Sequence, residues 1–215
     1  KFKYYEIPKL VAGITNKCSL IGKNIYELLD YEIFILSSTK SAEMTKLLEN
    51  IYRAINIGLV NELKELADCL EIDLFEIINA ASTKPFGFKP FYPGPGVGGH
   101  CIPIDPYYLS WKAKEFGIDM KLINSALEIN STMPNFVLKK LIDTLIKHNK
   151  KIENSKILIL GIAYKKNIDD FRESPSLKII NLLLNKKAKV FFNDPCITGG
   201  KKRYICNELN VKSIE

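Results

Sequence analysis

Cys101 stands inside FYPGPGVGGHCIPIDPYYL (residues 91–109), a stretch with glycines at 94, 96, 98 and 99 and prolines at 93, 95, 103 and 106. A thiol attacks an electrophilic carbon only where it is exposed and the substrate can come close. Glycines give that room by removing side chains, and the free N–H groups of such a loop can hold a phosphate or an oxyanion. Asp105, four residues on, adds a group able to hold or move a proton. The competing reading is a small buried hydrophobe, and the residues alone leave both open. His100 is adjacent to Cys101, but neighbouring side chains seldom converge on one substrate atom. No third ligand lies nearby in the sequence, so neither a Cys–His dyad nor a metal site follows.

Two further groups can carry chemistry. Lys46 and Asn50 are four residues apart, which places them on one face of a helix. There a cation and an amide can face an oxygen that develops negative charge. Glu43 is spaced to pair with Lys46, and a solvated lysine is the plainer alternative. Lys165, Asp170, Arg172 and Glu173 crowd one polar loop. A lysine and an arginine there suit a diphosphate, with simple loop solvation as the alternative.

The elements that must position these residues follow from the hydrophobic pattern. KLVAGIT (9–15) and YEIFILSS (31–38) predict strands, separated by a helical GKNIYELL. Apolar residues recur at three- and four-residue steps from Ser41 to Leu70 and predict one long helix. Residues 72–82 predict another. Asp105–Phe116 predicts a third, with Pro106 in its first turn. Met120–His148 predicts a fourth, kinked or broken near Thr132 because of Pro134. KILILG (156–161), SLKIINLLL and KVFFNDP (189–195) then read as strand, helix, strand, a parallel β-α-β unit. Ligands of such units bind beyond the carboxyl ends of the strands, where the polar loop 162–175 lies. Gly161 stands alone, so the dinucleotide fingerprint G-x-G-x-x-G is absent.

Bulk properties narrow the class. The 215 residues suffice for one large or two small domains. With 47% apolar and 26% charged residues, the chain can bury a real core. No apolar run approaches the ~20 residues of a membrane helix, and KFKYYEIPKL has no secretory h-region. The net charge of +7 comes from scattered lysines with no basic helix, so no nucleic acid is expected as partner. A diffuse positive field still favours a phosphorylated substrate. Five widely spaced cysteines form neither a disulfide framework nor a zinc ribbon, and fit reduced thiols in the cytoplasm.

Three segments taken in order are more specific. AEMTKLLENIYRAINIGLVNEL (42–63), PFGFKPFYPGPGVGGHCIPIDPYYL (85–109) and KILILGIAYKKNIDDFRESPS (156–176) resemble the UDP-sugar 6-dehydrogenases, the NAD-dependent UDP-glucose/GDP-mannose dehydrogenase family. The GPGVGGHCIPIDPYYL form looks most like the branch acting on UDP-N-acetylhexosamines, with UDP-N-acetylglucosamine the expected substrate and polysaccharide biosynthesis the setting.

The resemblance implies an α/β fold in three parts. Residues 1–38 would be the end of an incomplete N-terminal NAD-binding Rossmann domain. Residues 39–150 would be a helical central domain, dimerising through the 41–70 helix and carrying the cysteine loop. Residues 151–215 would be a partial Rossmann-like UDP-sugar-binding domain. It further implies that the sugar's primary alcohol is oxidised to a carboxylate by two hydride transfers to NAD, through a thiohemiacetal and a thioester on Cys101. Lys46 and Asn50 would stabilise the oxyanion, and Asp105 would position or activate water. Pro90, Phe91, Tyr92, Pro93, Gly94, Gly98, Lys165 and Arg172 would hold the UDP-sugar, with Gly99 and Arg172 toward the cofactor and no metal.

The chain also departs from the family pattern. The glycine fingerprint is missing, and so are the family's N-terminal threonine and glutamate. The C-terminal domain is short, and Lys84 and Lys89 are the only cations near the place of a subunit-crossing arginine. The expectation is a fragment that does not bind NAD productively by itself. The alternatives are a non-catalytic nucleotide-sugar-binding and dimerisation module, or a UDP-glucose 6-dehydrogenase. A cysteine hydrolase is weaker, since His148 is the only distant histidine.

Overall fold

The computed structural model describes residues 3–214, in two compact units that divide at Asn50 and Ile51. In the first unit, β1 (Lys9–Val11) and β2 (Ile33–Ile35) pair in parallel with Lys9 opposite Ile33. The helix α1 (Asn16–Glu27) supplies the crossover that parallel strands require. Thr15 caps it, its side-chain oxygen accepting from Cys18 N at 3.2 Å. That cap starts the helix at Asn16, so the KLVAGIT strand ends at Val11 and the helix begins well before the GKNIYELL pattern. Val11 is the one buried apolar residue among the described residues of this unit, and Leu20, Ile25, Leu28 and Phe34 are exposed. The long helix α2 (Thr39–Cys69) begins here, with Ser41 N donating to Ser38 Oγ at 3.0 Å. It runs close to the expected 41–70.

The second unit continues with α3 (Leu74–Ala81), α4 (Cys101–Lys114) and α5 (Lys121–Lys147). Val60, Ala67, Leu74 and Ile78 form a small core with Phe91 packed on it. α2 and α5 approach closely at Gly58, where a side chain would meet Ala126 at 3.2 Å. α5 continues as one helix through Pro134, so of the kink or break expected near Thr132 the break does not occur. Ser131 and Thr132 donate their hydroxyls to the Glu128 and Ile129 carbonyls, adding bonds in the turn that the proline disturbs.

The remaining elements are β3 (Lys156–Leu160), α6 (Pro175–Asn185), β4 (Lys189–Asn193), α7 (Gly199–Leu209) and β5 (Lys212–Ser213). The sheet is parallel, in the order β3-β4-β5, with Lys156 opposite Lys189 and Phe191 opposite Lys212. The β-α-β reading holds, and α7 and β5 extend it beyond what the pattern predicted. Ile162, Ile180, Leu183 and Phe192 are fully buried at its centre. Leu138 of α5 belongs to the same core, so this helix joins the sheet to the helical layer.

Candidate active site

The glycine–proline segment reaches Cys101 by a series of fixed points. Phe91 packs on the small core and meets the Tyr52 ring edge-on at 5.7 Å. Tyr92 stacks on Phe75 and donates its hydroxyl to Asn79 Oδ1 at 2.8 Å. Gly94 N donates to the Asn61 side chain at 2.9 Å. Of the four glycines, only Gly94 has open space where a side chain would be. At Gly98 a Cβ would lie 2.6 Å from Tyr164 Cβ, and at Gly99, with φ +82°, 2.8 Å from the Tyr164 ring. The absent side chains at 98 and 99 therefore make room for Tyr164 of the loop after β3.

The segment ends sooner than its composition implied. The helix α4 starts at Cys101, not near Asp105, and Pro106 lies buried inside it rather than in its first turn. Pro103 is tolerated because the first four N–H groups of a helix have no intrahelical acceptor. Only Pro106 removes an internal bond. Cys101 is thus the first helical residue, exposed, at the end of α4 that favours negative charge. The four-residue spacing puts Asp105 on the same face of α4, where it is half-buried.

The loop between β3 and α6 forms the facing side. Asp194, at the end of β4, accepts from Ile162 N at 2.7 Å and Ala163 N at 2.8 Å, tying the start of this loop to the neighbouring strand. Burial pushes the Asp194 carboxyl up, but the backbone N–H groups of Ala163, Ile162 and Cys196 outweigh it and hold the group below its usual range. Arg172 grips Asp170 through both Nε (2.9 Å) and Nη2 (2.7 Å). That bidentate bond, opposed by slight burial and helped by the Arg172 backbone N–H and charge and the nearby His100, holds Asp170 at about 2. Lys201 binds Asp169 at 2.6 Å and lowers it in the same way. Lys165 is exposed beside Tyr164. Arg172 is committed to Asp170, so a phosphate reaching it would share a guanidinium already in use.

The second unit thus brings together Cys101, Asp105, the 90–99 segment and the loop with Lys165 and Arg172. Lys46 and Asn50 belong to the first unit. Lys46 is exposed and pairs with Glu49 at 3.3 Å instead of Glu43, while Asn50 is wholly buried. Four residues escaped the sequence reading: Asn61, Asn130, Tyr164 and Asp194. Asn130 carried a signal, as a polar residue among Ala126, Leu127, Met133 and Pro134 on its helix face. Among the described residues, no group of three or more His, Cys, Asp or Glu is placed to hold a metal ion.

The one glycine between β1 and α1 leaves no room for a pyrophosphate. After β1 the chain passes through Gly13 directly into α1. Gly13 N donates to Ser19 Oγ at 2.8 Å, and a side chain there would collide with Ser19 N and Cys18. The room a glycine leaves for a pyrophosphate is filled by the helix itself.

Comparison with known proteins agrees with this geometry. Residues 40–132 match the central domain of the UDP-glucose/GDP-mannose dehydrogenase family, and residues 158–214 its UDP-binding domain. A protein of Methanocaldococcus jannaschii named UDP-N-acetyl-D-mannosamine dehydrogenase is 40% identical over 86% of this chain and 41% of its own length. The solved UDP-D-ManNAc dehydrogenase of Pyrococcus horikoshii is 39% identical, with a TM-score of 0.82 over 89% of this chain and 45% of that one. A UDP-glucose dehydrogenase from Pyrobaculum islandicum superposes with a TM-score of 0.84 at 25% identity, over 97% of this chain and 47% of that one. The chain spans less than half the length of each of these relatives. Matched by both domain models and by these homologues, the chain belongs to the UDP-glucose/GDP-mannose dehydrogenase family.

Proposed function

We propose that the chain supplies the substrate-holding and nucleophilic parts of an NAD-dependent UDP-sugar 6-dehydrogenase working in polysaccharide biosynthesis. The observation that carries this is Cys101, exposed at the N-terminus of α4 with Asp105 one turn away, on a loop packed against the UDP-binding segment. NAD is the oxidant of this reading.

The substrate is a UDP-N-acetylhexosamine. The names of the relatives move the first choice from the gluco epimer to UDP-N-acetyl-D-mannosamine. The Cys101 sulfur adds to the C6 aldehyde carbon, and the carbonyl electron pair takes up a proton, giving a thiohemiacetal. After its oxidation to the thioester, water adds at the same carbon and the C–S bond breaks, releasing the carboxylate and the thiol. The same reading assigns Asp105 to that water and Lys46 and Asn50 to the oxyanion. Pro90 to Gly94, Gly98, Lys165 and Arg172 hold the nucleotide sugar, and Gly99 and Arg172 lie toward the cofactor.

In this reading residues 1–38 end the NAD-binding domain, 39–150 form the central domain and 151–215 belong to the UDP-binding domain. The exposed stripe Leu59, Leu63 and Leu66 on α2, followed by Leu70 just past its end, supports a homodimer through 41–70. No helix among the described residues is long and apolar enough to cross a membrane, and five free cysteines support a cytoplasmic site of action.

The match of residues 158–214 to the UDP-binding domain also supports a second reading, a nucleotide-sugar-binding module without turnover. A panel of UDP-sugars with the full-length protein, following NADH, separates the two. The proposal expects turnover with an N-acetylhexosamine, and no NAD reduction by the 215-residue polypeptide alone. Tight nucleotide-sugar binding without turnover by the full-length protein would establish the second reading.

A further inference from the structure

A line of hydrogen bonds runs through the buried centre of the second unit to the segment that carries Cys101. Asn130 Nδ2 of α5 donates to the Ala54 carbonyl of α2 at 2.8 Å. Asn130 Oδ1 accepts from Asn61 Nδ2 at 2.9 Å, and Asn61 Oδ1 accepts from Gly94 N at 2.9 Å. Asn61 is wholly buried and Asn130 is 6% exposed. A second link runs beside the first. Pro134 takes away the helix's usual donor to the Asn130 carbonyl, and the chain passes that oxygen at Gly96. There φ is +123° and a side chain would lie 3.1 Å from it. Both glycines of the Gly94-Pro95-Gly96 turn are therefore referenced to Asn130, one through Asn61 and one by direct approach.

Two amides buried in an apolar interface are a costly way to fill space. Side chains of the same size without polar atoms would pack there at no desolvation cost, provided no backbone group were left unpaired. The Gly94 N–H is such a group. Flanked by prolines on both sides, the segment has no neighbouring N–H to share its fixing, since Pro93 and Pro95 have none.

We propose that Asn61 and Asn130 form a positioning pair that sets the height of residues 90–96 over α2 and α5, and with it the fit of the UDP-sugar to Cys101. The pair touches neither the substrate nor the thiol and acts through Gly94 and Gly96. This rests on the dehydrogenase reading for its substrate. It predicts an effect on substrate affinity and none on the intrinsic access to Cys101.

The test uses the full-length protein and three readouts. The first is exchange of the Gly94 amide hydrogen. The second is the rate at which iodoacetamide alkylates Cys101, read by peptide mass spectrometry. The third is the concentration of UDP-N-acetyl-D-mannosamine that protects Cys101 from that alkylation. In Asn61→Ala, Gly94 exchange rises and the protecting concentration increases about tenfold, as for loss of one ~1.4 kcal/mol interaction. Alkylation without ligand stays within about twofold. In Asn61→Asp, which keeps the acceptor for Gly94, exchange protection returns, and the protecting concentration falls back toward the wild-type value.

Lost Gly94 protection with unchanged ligand protection in Asn61→Ala overturns the proposal. So does equal loss in Asn61→Ala and Asn61→Asp. If Asn61→Ala fails to fold, Asn61→Ser and Asn61→Asp give the same contrast. If the sugar nucleotide does not protect even the wild type, the functional reading fails and the amide exchange still decides the pairing. Wild-type Gly94 exchanging as fast as an unprotected amide refutes it directly.

Discussion

At Asp170 a single guanidinium decides the charge state of a carboxylate. The bidentate bond to Arg172 holds it at about 2, below the ordinary 3.8, in a largely solvated loop. A lowered carboxyl contributes stability in full above the ordinary value and loses it as the pH falls from about 4 toward about 2. Arg172→Gln is expected to return Asp170 toward 3.8, seen in the pH titration of its carboxyl carbon by NMR. An unmoved titration would show that the loop, not the arginine, sets the charge. Cys101 was legible at this scale as a thiol among glycines, and so were the cations of the loop after β3. Asp170 was legible as a loop carboxylate but not as the partner of Arg172. The sequence shows two charges two residues apart, and only the backbone turn between them brings the fork onto the carboxylate. Asn61 and Asn130 lie 69 positions apart, a pairing that no local pattern reveals.

The elements place these side chains through close packing, and the glycines show where it is tightest. A Cβ at Gly98 would lie 2.6 Å from Tyr164 Cβ and 3.0 Å from both the Glu173 carbonyl and Pro175 Cδ. Gly98→Ala is therefore expected to cost about 1–3 kcal/mol by overpacking. Gly117→Ala, at φ +71° in open space, should cost about 1 kcal/mol. Urea unfolding of both variants checks the order, and equal losses would mean that Tyr164 yields freely. Helix periodicity predicted α2, α3 and α5 well, and compact apolar runs predicted β3 and β4. The start of α4 was missed because glycine and proline density argues for a loop. Yet proline near a helix N-terminus interrupts no bond, so the helix begins at the thiol. α7 was missed because its lysines and glycines break the apolar pattern, and burial of Ile205 against the sheet compensates.

At the scale of the molecule, two exposed features ask for company. The leucine stripe on α2 is large for a solvated surface, with Leu59 at 52%, Leu63 at 40% and Leu66 at 54% exposure. Leu63→Glu in the full-length protein is expected to shift its sedimentation from dimer to monomer, and an unchanged dimer would place the interface elsewhere. The apolar faces of α1 and β2 in the first unit are equally uncovered. The first was legible as the three- and four-residue recurrence from Ser41 to Leu70, whereas the short patterns at 9–15 and 31–38 do not show which face is covered.

The central claim is that Cys101 is the covalent nucleophile of UDP-sugar oxidation. Its most direct measurement is uronate formation by full-length Cys101→Ala with UDP-N-acetyl-D-mannosamine and NAD. The account predicts no carboxylate product beyond background from a protein that still binds the sugar nucleotide. Carboxylate formed at the wild-type rate would contradict it.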